Sequence, residues 1–183
     1  FSLPQTDLVV SQLCYGGVSW GTKKTGDDMD RLLNAFRDMG GCFFDTAHCY
    51  SFWVPGGTGA SELALGDYFR RNGSKGMVVA TKGGHKSEPG YRKVEYHLSP
   101  ARIEADIDDS LARLSVDTID LFWLHRDDTS VPASEVIDTL NREVKRGRIR
   151  HLGASNWSMQ RIDEANAHAK ANNLRGFVAS QPE

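Results

Sequence analysis

Short apolar runs and amphipathic segments alternate along this whole chain, and that alternation limits its fold more than any other property. The apolar runs lie at Leu13–Gly16, Cys42–Phe44, Met77–Ala80, Ile119–Leu124, Ile149–Ala154 and Phe177–Ala179. Most are continuous rather than alternating, as expected of parallel strands covered on both faces. Helical patterns separate them. Leu32, Leu33, Phe36 and Met39 share one face, as do Leu65, Tyr68 and Phe69. Ile103, Ile107, Leu111 and Leu114 form the clearest stripe, opened by Ser99 as cap and Pro100 as first helical residue. Val136, Ile137, Leu140 and Val144 follow Pro132, and Ile162, Ala165 and Ala169 make a weaker last helix after Ser158. Glycines at 40–41, 73 and 147 punctuate returns from helix to strand.

Six strands and five helices in strict alternation require a parallel sheet, either doubly wound or closed as a barrel. Gly16-Gly17 has no third glycine at dinucleotide-fingerprint spacing. The polar residues of interest follow several different strands, as at the C-terminal face of a (β/α)8 TIM barrel. The expectation is therefore an α/β chain forming a single partial TIM-barrel domain over residues 1–183. A complete barrel takes about 250 residues, and this sequence has 183. It is expected to be a truncated piece lacking strands 7 and 8, with open sheet edges prone to aggregation and little activity of its own.

The net charge of −2 leaves no electrostatic footprint for nucleic acid. The short basic runs Arg70-Arg71 and Lys145–Arg148 read as solvated helix ends. No apolar stretch reaches the roughly 20 residues that span a bilayer, and FSLPQTDLVV has no secretory pattern. Three unpatterned cysteines suit a reduced, cytoplasmic setting. Cys14 and Cys42 read as core residues, and Cys49 as packing.

Asp45 and Tyr50 in FFDTAHCY, Lys82 in VVATK and His125 in LFWLH fall at or just beyond strand ends. On adjacent parallel strands they would gather at one end of the sheet. A lysine beside a phenol favours the phenolate and lowers a pKa that is about 10 when free. Asp45 would keep Lys82 charged, and His125 could donate to a carbonyl oxygen or take part in proton delivery. Each residue alone has a plainer explanation: a loop cap, a packed ring, a solvated lysine, a satisfied core histidine. Together on three consecutive strands they read as a proton-transfer group.

These segments resemble the aldo-keto reductases. LCYGGVSWG is similar to that family's first strand and loop, FFDTAHCY to its D-T-A-x-x-Y segment, and GASELALG to its G-x-S-E-x-x-L-G helix start. The stretch from Ser99 to Asp128, GRIRHLGASNW and SQPE resemble later segments, in order along essentially the whole chain. The resemblance implies a (β/α)8 barrel that reduces aldehydes or ketones, or runs the reverse oxidation, with NADP or alternatively NAD. It implies Tyr50 as general acid, tuned by Lys82 and Asp45, with His125 orienting a small-molecule carbonyl. It implies that Ser155, Asn156 and Gln181 hold the nicotinamide carboxamide, that Gly17 and Val18 contact the cofactor, and that Asp45 also touches the nicotinamide ribose. Ser155 and Asn156 would equally suit a helix cap.

The sequence departs from the family in two loops, Ser51–Gly59 and Gly83 to about Leu98, where Phe52, Trp53 and Trp20 are candidate pocket walls. Three rival readings stand beside the reductase. One is a Schiff-base aldolase using Lys82, which a neighbouring carboxylate disfavours. Another is a metal hydrolase using His48, Cys49, His85 and His125, which lack a recognised ligand spacing, so no metal is expected. The third is a non-enzymatic, cofactor-binding regulatory subunit. Oligomeric state is not legible.

Overall fold

The computed structural model describes residues 1–182. Glu183, the end of the SQPE segment, lies outside them. The elements are β1 (Cys14–Gly16), α1 (Gly26–Asp38), β2 (Phe43–Asp45), α2 (Ala60–Asn72), β3 (Val78–Gly83), α3 (Pro100–Leu114), β4 (Ile119–Leu124), α4 (Ala133–Lys145), β5 (Ile149–Ser155), α5 (Met159–Ala171) and β6 (Phe177–Gln181). All strand pairs are parallel and the sheet order is β1-β2-β3-β4-β5-β6. Chain order never reverses. With right-handed crossovers, that puts every helix on the same side of the sheet. This is part of a (β/α)8 barrel and not a doubly wound sheet.

The register separates two faces. Asp45 stands beside Ala80, Ala80 beside Leu121, Lys82 beside Trp123, Trp123 beside Gly153, and Ser155 beside Gln181. Side chains alternate along a strand, so these residues share the barrel's inner face. The opposite face carries Phe44, Val79, Phe122 and Leu152, packed against Leu33, Leu65, Ile103, Ile107, Ile137 and Leu140 of the helices. A smaller inner cluster joins Val78, Ala80, Leu121 and Trp123 to Leu8 and Val10. Leu8 and Val10 belong to an N-terminal hairpin, closed by a Ser2–Val9 bridge, that the sequence reading did not find. Asp7 fastens it to the start of β5 through Arg150 at 2.6 Å and His151 at 2.7 Å.

Several expectations need correction. In α1 the buried stripe is Met29 and Leu33, with Phe36 half-buried, while Leu32 and Met39 face solvent. Leu32 lies one position off the stripe, and Met39 is already the C-cap. Cys14 is exposed, not core, because β1 is a sheet edge among the described residues. Cys42 is only half-buried and its Sγ accepts a hydrogen bond from Ser11 N at 3.2 Å. Arg71 is exposed as expected of a solvated helix end, and also pairs with Asp30 at 2.7 Å. Trp20 is buried in the helix-side core against Tyr15 and Phe44, so it walls no pocket. The predicted β4 coincides with the observed strand, but β3 runs three residues further than Ala80, through Lys82 and Gly83.

Candidate active site

Lys82 sits near the C-terminal end of β3 on the inner face, 2% exposed. A buried ammonium is costly unless paired and hydrogen-bonded. All three of its donors are engaged: with Asp45 Oδ2, with Thr46 O at 2.9 Å and with the Tyr50 hydroxyl at 3.1 Å. Burial pulls the Lys82 pKa down, but Asp45 and Tyr50 more than reverse this and it stands above its ordinary value. Asp45 ends β2 in register with Ala80, and one turn, closed by Tyr50 N donating to Ala47 O at 3.1 Å, then carries Tyr50 back to Lys82. The loop is held in place from behind. His48 N donates to Lys82 O at 2.9 Å, and Thr46 and Ser61 hydroxyls link the loop to Gly17 O.

The Tyr50 phenol differs from the sequence expectation. Burial pushes its pKa up, Lys82 pulls it down, Asp45 pushes it up again, and the net shift is upward. The ring therefore carries its proton. Since Lys82 donates to the phenol oxygen, the phenol's own hydrogen is directed to some other acceptor. His125, the first residue after β4, stands edge-on to Tyr50 with ring centroids 6.0 Å apart. Burial, then the Lys82 charge, drives its pKa down to about 2, so the imidazole is neutral. Cys49 Sγ lies 3.4 Å from His125 Nδ1. Burial pushes that thiol up to about 12. A protonated thiol can donate to Nδ1, which leaves the ring hydrogen on Nε2. Sequence reasoning took Cys49 as mere packing; no spacing rule signals a contact across 76 positions.

The structure thus brings Asp45, Tyr50, Lys82 and His125 together. Gly17 joins them at the same sheet end, its N donating to Asp45 O at 2.8 Å. A Cβ on Gly17 would fall 2.3 Å from the Trp20 ring, so the turn has room only for glycine. Val18 follows it, half exposed. Two strands away, Ser155 is buried and Gln181 is its register partner. Asn156 has φ +58, a left-handed conformation that asparagine tolerates, and donates to Ser155 Oγ at 3.1 Å. The cap of α5 is Ser158, whose hydroxyl accepts from Arg161 N; Ser155 and Asn156 are not the cap. Asp45 Oδ1 and Gln181 Oε1 are buried without a hydrogen-bond partner among the described residues. A buried acceptor left unpaired costs about 1–3 kcal/mol, so these two atoms mark places where a bound molecule would supply a donor.

Of the other candidates, Phe52 packs edge-on to Trp53 and tilted against His85 and Tyr91, while Trp53 is half exposed. His48 points away, to Tyr91 Oη at 2.7 Å and Asp109 at 3.0 Å. The four-residue metal set is therefore not assembled. Two buried carboxylates beside β3 escaped the sequence reading. Glu62 in α2 accepts from Thr81 Oγ1 at 2.6 Å and pairs with Arg113. Asp106 in α3 accepts from Gly84 N at 2.8 Å and pairs with Arg92. Both fix β3 on either side of Lys82. Their signal was an acidic residue inside an apolar helical stripe.

Comparison with known proteins finds relatives along nearly the whole chain. The Aldo/keto reductase family model matches residues 12–183. A probable voltage-gated potassium channel subunit beta of Oryza sativa is 33% identical over the whole chain, which covers 54% of that protein. An aldo-keto reductase of Schizosaccharomyces pombe whose name carries NADP(+) is 34% identical over 74% of the chain and 38% of its own length. The solved glycerol dehydrogenase AKR11B4 of Gluconobacter oxydans superposes with a TM-score of 0.80 and 31% identity, over 99% of this chain and 54% of that one. The chain spans about half the length of the first of these relatives. With the family model matching residues 12–183 of 183, the chain belongs to the aldo/keto reductase family.

Proposed function

We propose that the protein reduces an aldehyde or ketone to an alcohol, or catalyses the reverse, with NADP as cofactor and NAD as the alternative. The observation that carries this is Lys82, buried and bonded at once to Asp45 and to the hydroxyl of a protonated Tyr50. When bound, the nicotinamide supplies the hydride. Tyr50 gives its proton to the carbonyl oxygen as that oxygen gains charge. Lys82, held cationic by Asp45, stabilises the phenolate left behind. His125, neutral and with its hydrogen on Nε2, donates to the same oxygen and orients it. The unpaired acceptors fit the cofactor: Gln181 Oε1 suits a carboxamide N–H and Asp45 Oδ1 a ribose hydroxyl. Ser155 and Asn156 add the donors and acceptors that a carboxamide needs, and Gly17 and Val18 line the approach.

The substrate is a small carbonyl compound rather than nucleic acid, in keeping with the charge of −2. Among the described residues no helix is long and apolar enough to cross a membrane. A cytoplasmic setting rests on the three unpatterned cysteines.

The test is Tyr50→Phe in the full-length protein, followed by NADPH oxidation over an aldehyde panel. Loss of a general acid lowers turnover by about 10²–10⁴-fold, with NADPH binding retained. The rice relative's name favours a second reading, a regulatory subunit that binds cofactor without turnover. NADPH binding with no reduction of any aldehyde, and no change in Tyr50→Phe, selects that reading over the enzyme.

A further inference from the structure

Cys49, His85 and His125 come from three segments: the loop after β2, the loop after β3 and the first position past β4. All three are buried, and one ligand atom from each lies within 4.8 Å of the others. Tetrahedral zinc, with Zn–S about 2.3 Å and Zn–N about 2.0–2.1 Å, spaces its ligand atoms about 3.3–3.6 Å apart. The Cys49 Sγ to His125 Nδ1 edge is already 3.4 Å. The remaining edges are at most 4.8 Å, and His85 stands on a loop, where its ring can adjust to shorten them. His85 is prepared for this. Its Nδ1 lies 3.0 Å from Lys86 O, and a carbonyl can only accept, so Nδ1 carries the hydrogen and Nε2 keeps a free lone pair. A ligating histidine is ordinarily oriented in this way.

We propose that these three residues bind a zinc-like thiophilic metal ion through Cys49 Sγ, His85 Nε2 and His125 Nδ1, which pulls the His125 ring toward the metal and so weakens its hold on the carbonyl substrate. The donor set of one sulfur and two imidazoles selects zinc, cadmium or cuprous copper over magnesium or calcium. Binding displaces the Cys49 thiol proton to solvent and forms the metal–thiolate bond. Three protein ligands leave a fourth position for a water or another exogenous ligand. The site differs from a structural zinc centre in its charge balance. Only one ligand is anionic, and the Lys82 ammonium stands nearby at 3.1 Å from the Tyr50 hydroxyl, which weakens cation binding and makes it reversible. The effect on substrate rests on the reductase reading; the binding itself does not.

Cobalt titrated into the metal-free, full-length protein gives a direct readout. One equivalent is expected to produce a thiolate-to-cobalt charge-transfer band, displaced on adding zinc. Cys49→Ser, checked for native circular dichroism, is expected to lose the band, and His85→Ala to weaken cobalt binding by about tenfold or more. Zinc should raise the apparent KM for the carbonyl substrate in the wild type, and leave Cys49→Ser at its own metal-free level. No band at stoichiometric cobalt, or a band surviving in Cys49→Ser, overturns the site. A Cys49-dependent band in a protein that reduces no carbonyl supports the site and tells against the reductase reading.

Discussion

Lys82 directs every ammonium hydrogen to a protein acceptor, and its energetics follow from having no water to fall back on. Breaking one side of a buried ion pair costs about 3–5 kcal/mol, because the remaining charge stays desolvated. Asp45→Asn is therefore expected to lower unfolding stability by about that amount, and Asp45→Asn/Lys82→Met to recover a large part of it. Urea unfolding checks both; an Asp45→Asn loss under about 1 kcal/mol, the range of exposed pairs, would mean that solvent reaches the ammonium. The identities of the four clustered residues were legible in the sequence because each lies at or soon after a strand end. The protonation of Tyr50 was not. Its largest cause is burial, which belongs to the packed loop and to no residue type. The same holds for Cys49, whose partner lies on another strand.

At the scale of elements, α2 and α3 meet so closely that one glycine decides their spacing. A Cβ on Gly66 would stand 2.0 Å from Arg113 O and 2.9 Å from Leu114 C, both backbone atoms. Helix propensity alone would make Gly66→Ala stabilising by about 1 kcal/mol. The backbone clash opposes it, and overpacking of this kind costs about 1–3 kcal/mol, so the net change is expected to be a lower thermal midpoint. A raised midpoint would show that the two helices can slide apart freely. The sequence located β4 to the residue because Ile119–Leu124 is apolar except at Asp120. It stopped β3 short because Thr81 and Lys82 are polar. The ladder continues through them since Glu62 takes the threonine hydroxyl and Asp45 the ammonium. Met39 was misplaced for the converse reason: it fits the apolar spacing, yet the helix has already ended there.

For the whole molecule, strand order distinguishes barrel from doubly wound sheet; alternation alone left both open, and the missing glycine fingerprint after β1 and the polar residues following several strands made the barrel legible. The hairpin over the strand starts was not, since its Leu8 and Val10 look like any short apolar pair. Its anchor has a pH signature. The His151 hydrogen bond, then that of Arg150, lowers the Asp7 carboxyl from 3.8 to about 2. A depressed carboxylate contributes stability above its unfolded pKa and loses it as pH falls through the folded one. The difference in thermal midpoint between wild type and Asp7→Asn should thus be present at neutral pH and shrink between about pH 4 and pH 2. A difference that stays constant across that interval would show that the anchor is not ionic.

The Asp7–Arg150 contact joins residues 143 positions apart, which has a consequence in time. At about 5–20 residues per second of synthesis, Asp7 leaves the ribosome on the order of 10 s before its partner exists. The residues that Leu8 and Val10 cover, Val78, Ala80, Leu121 and Trp123, are all made before that. The first segment made can therefore settle on its floor early, while the ionic anchor that fastens it arrives only with β5.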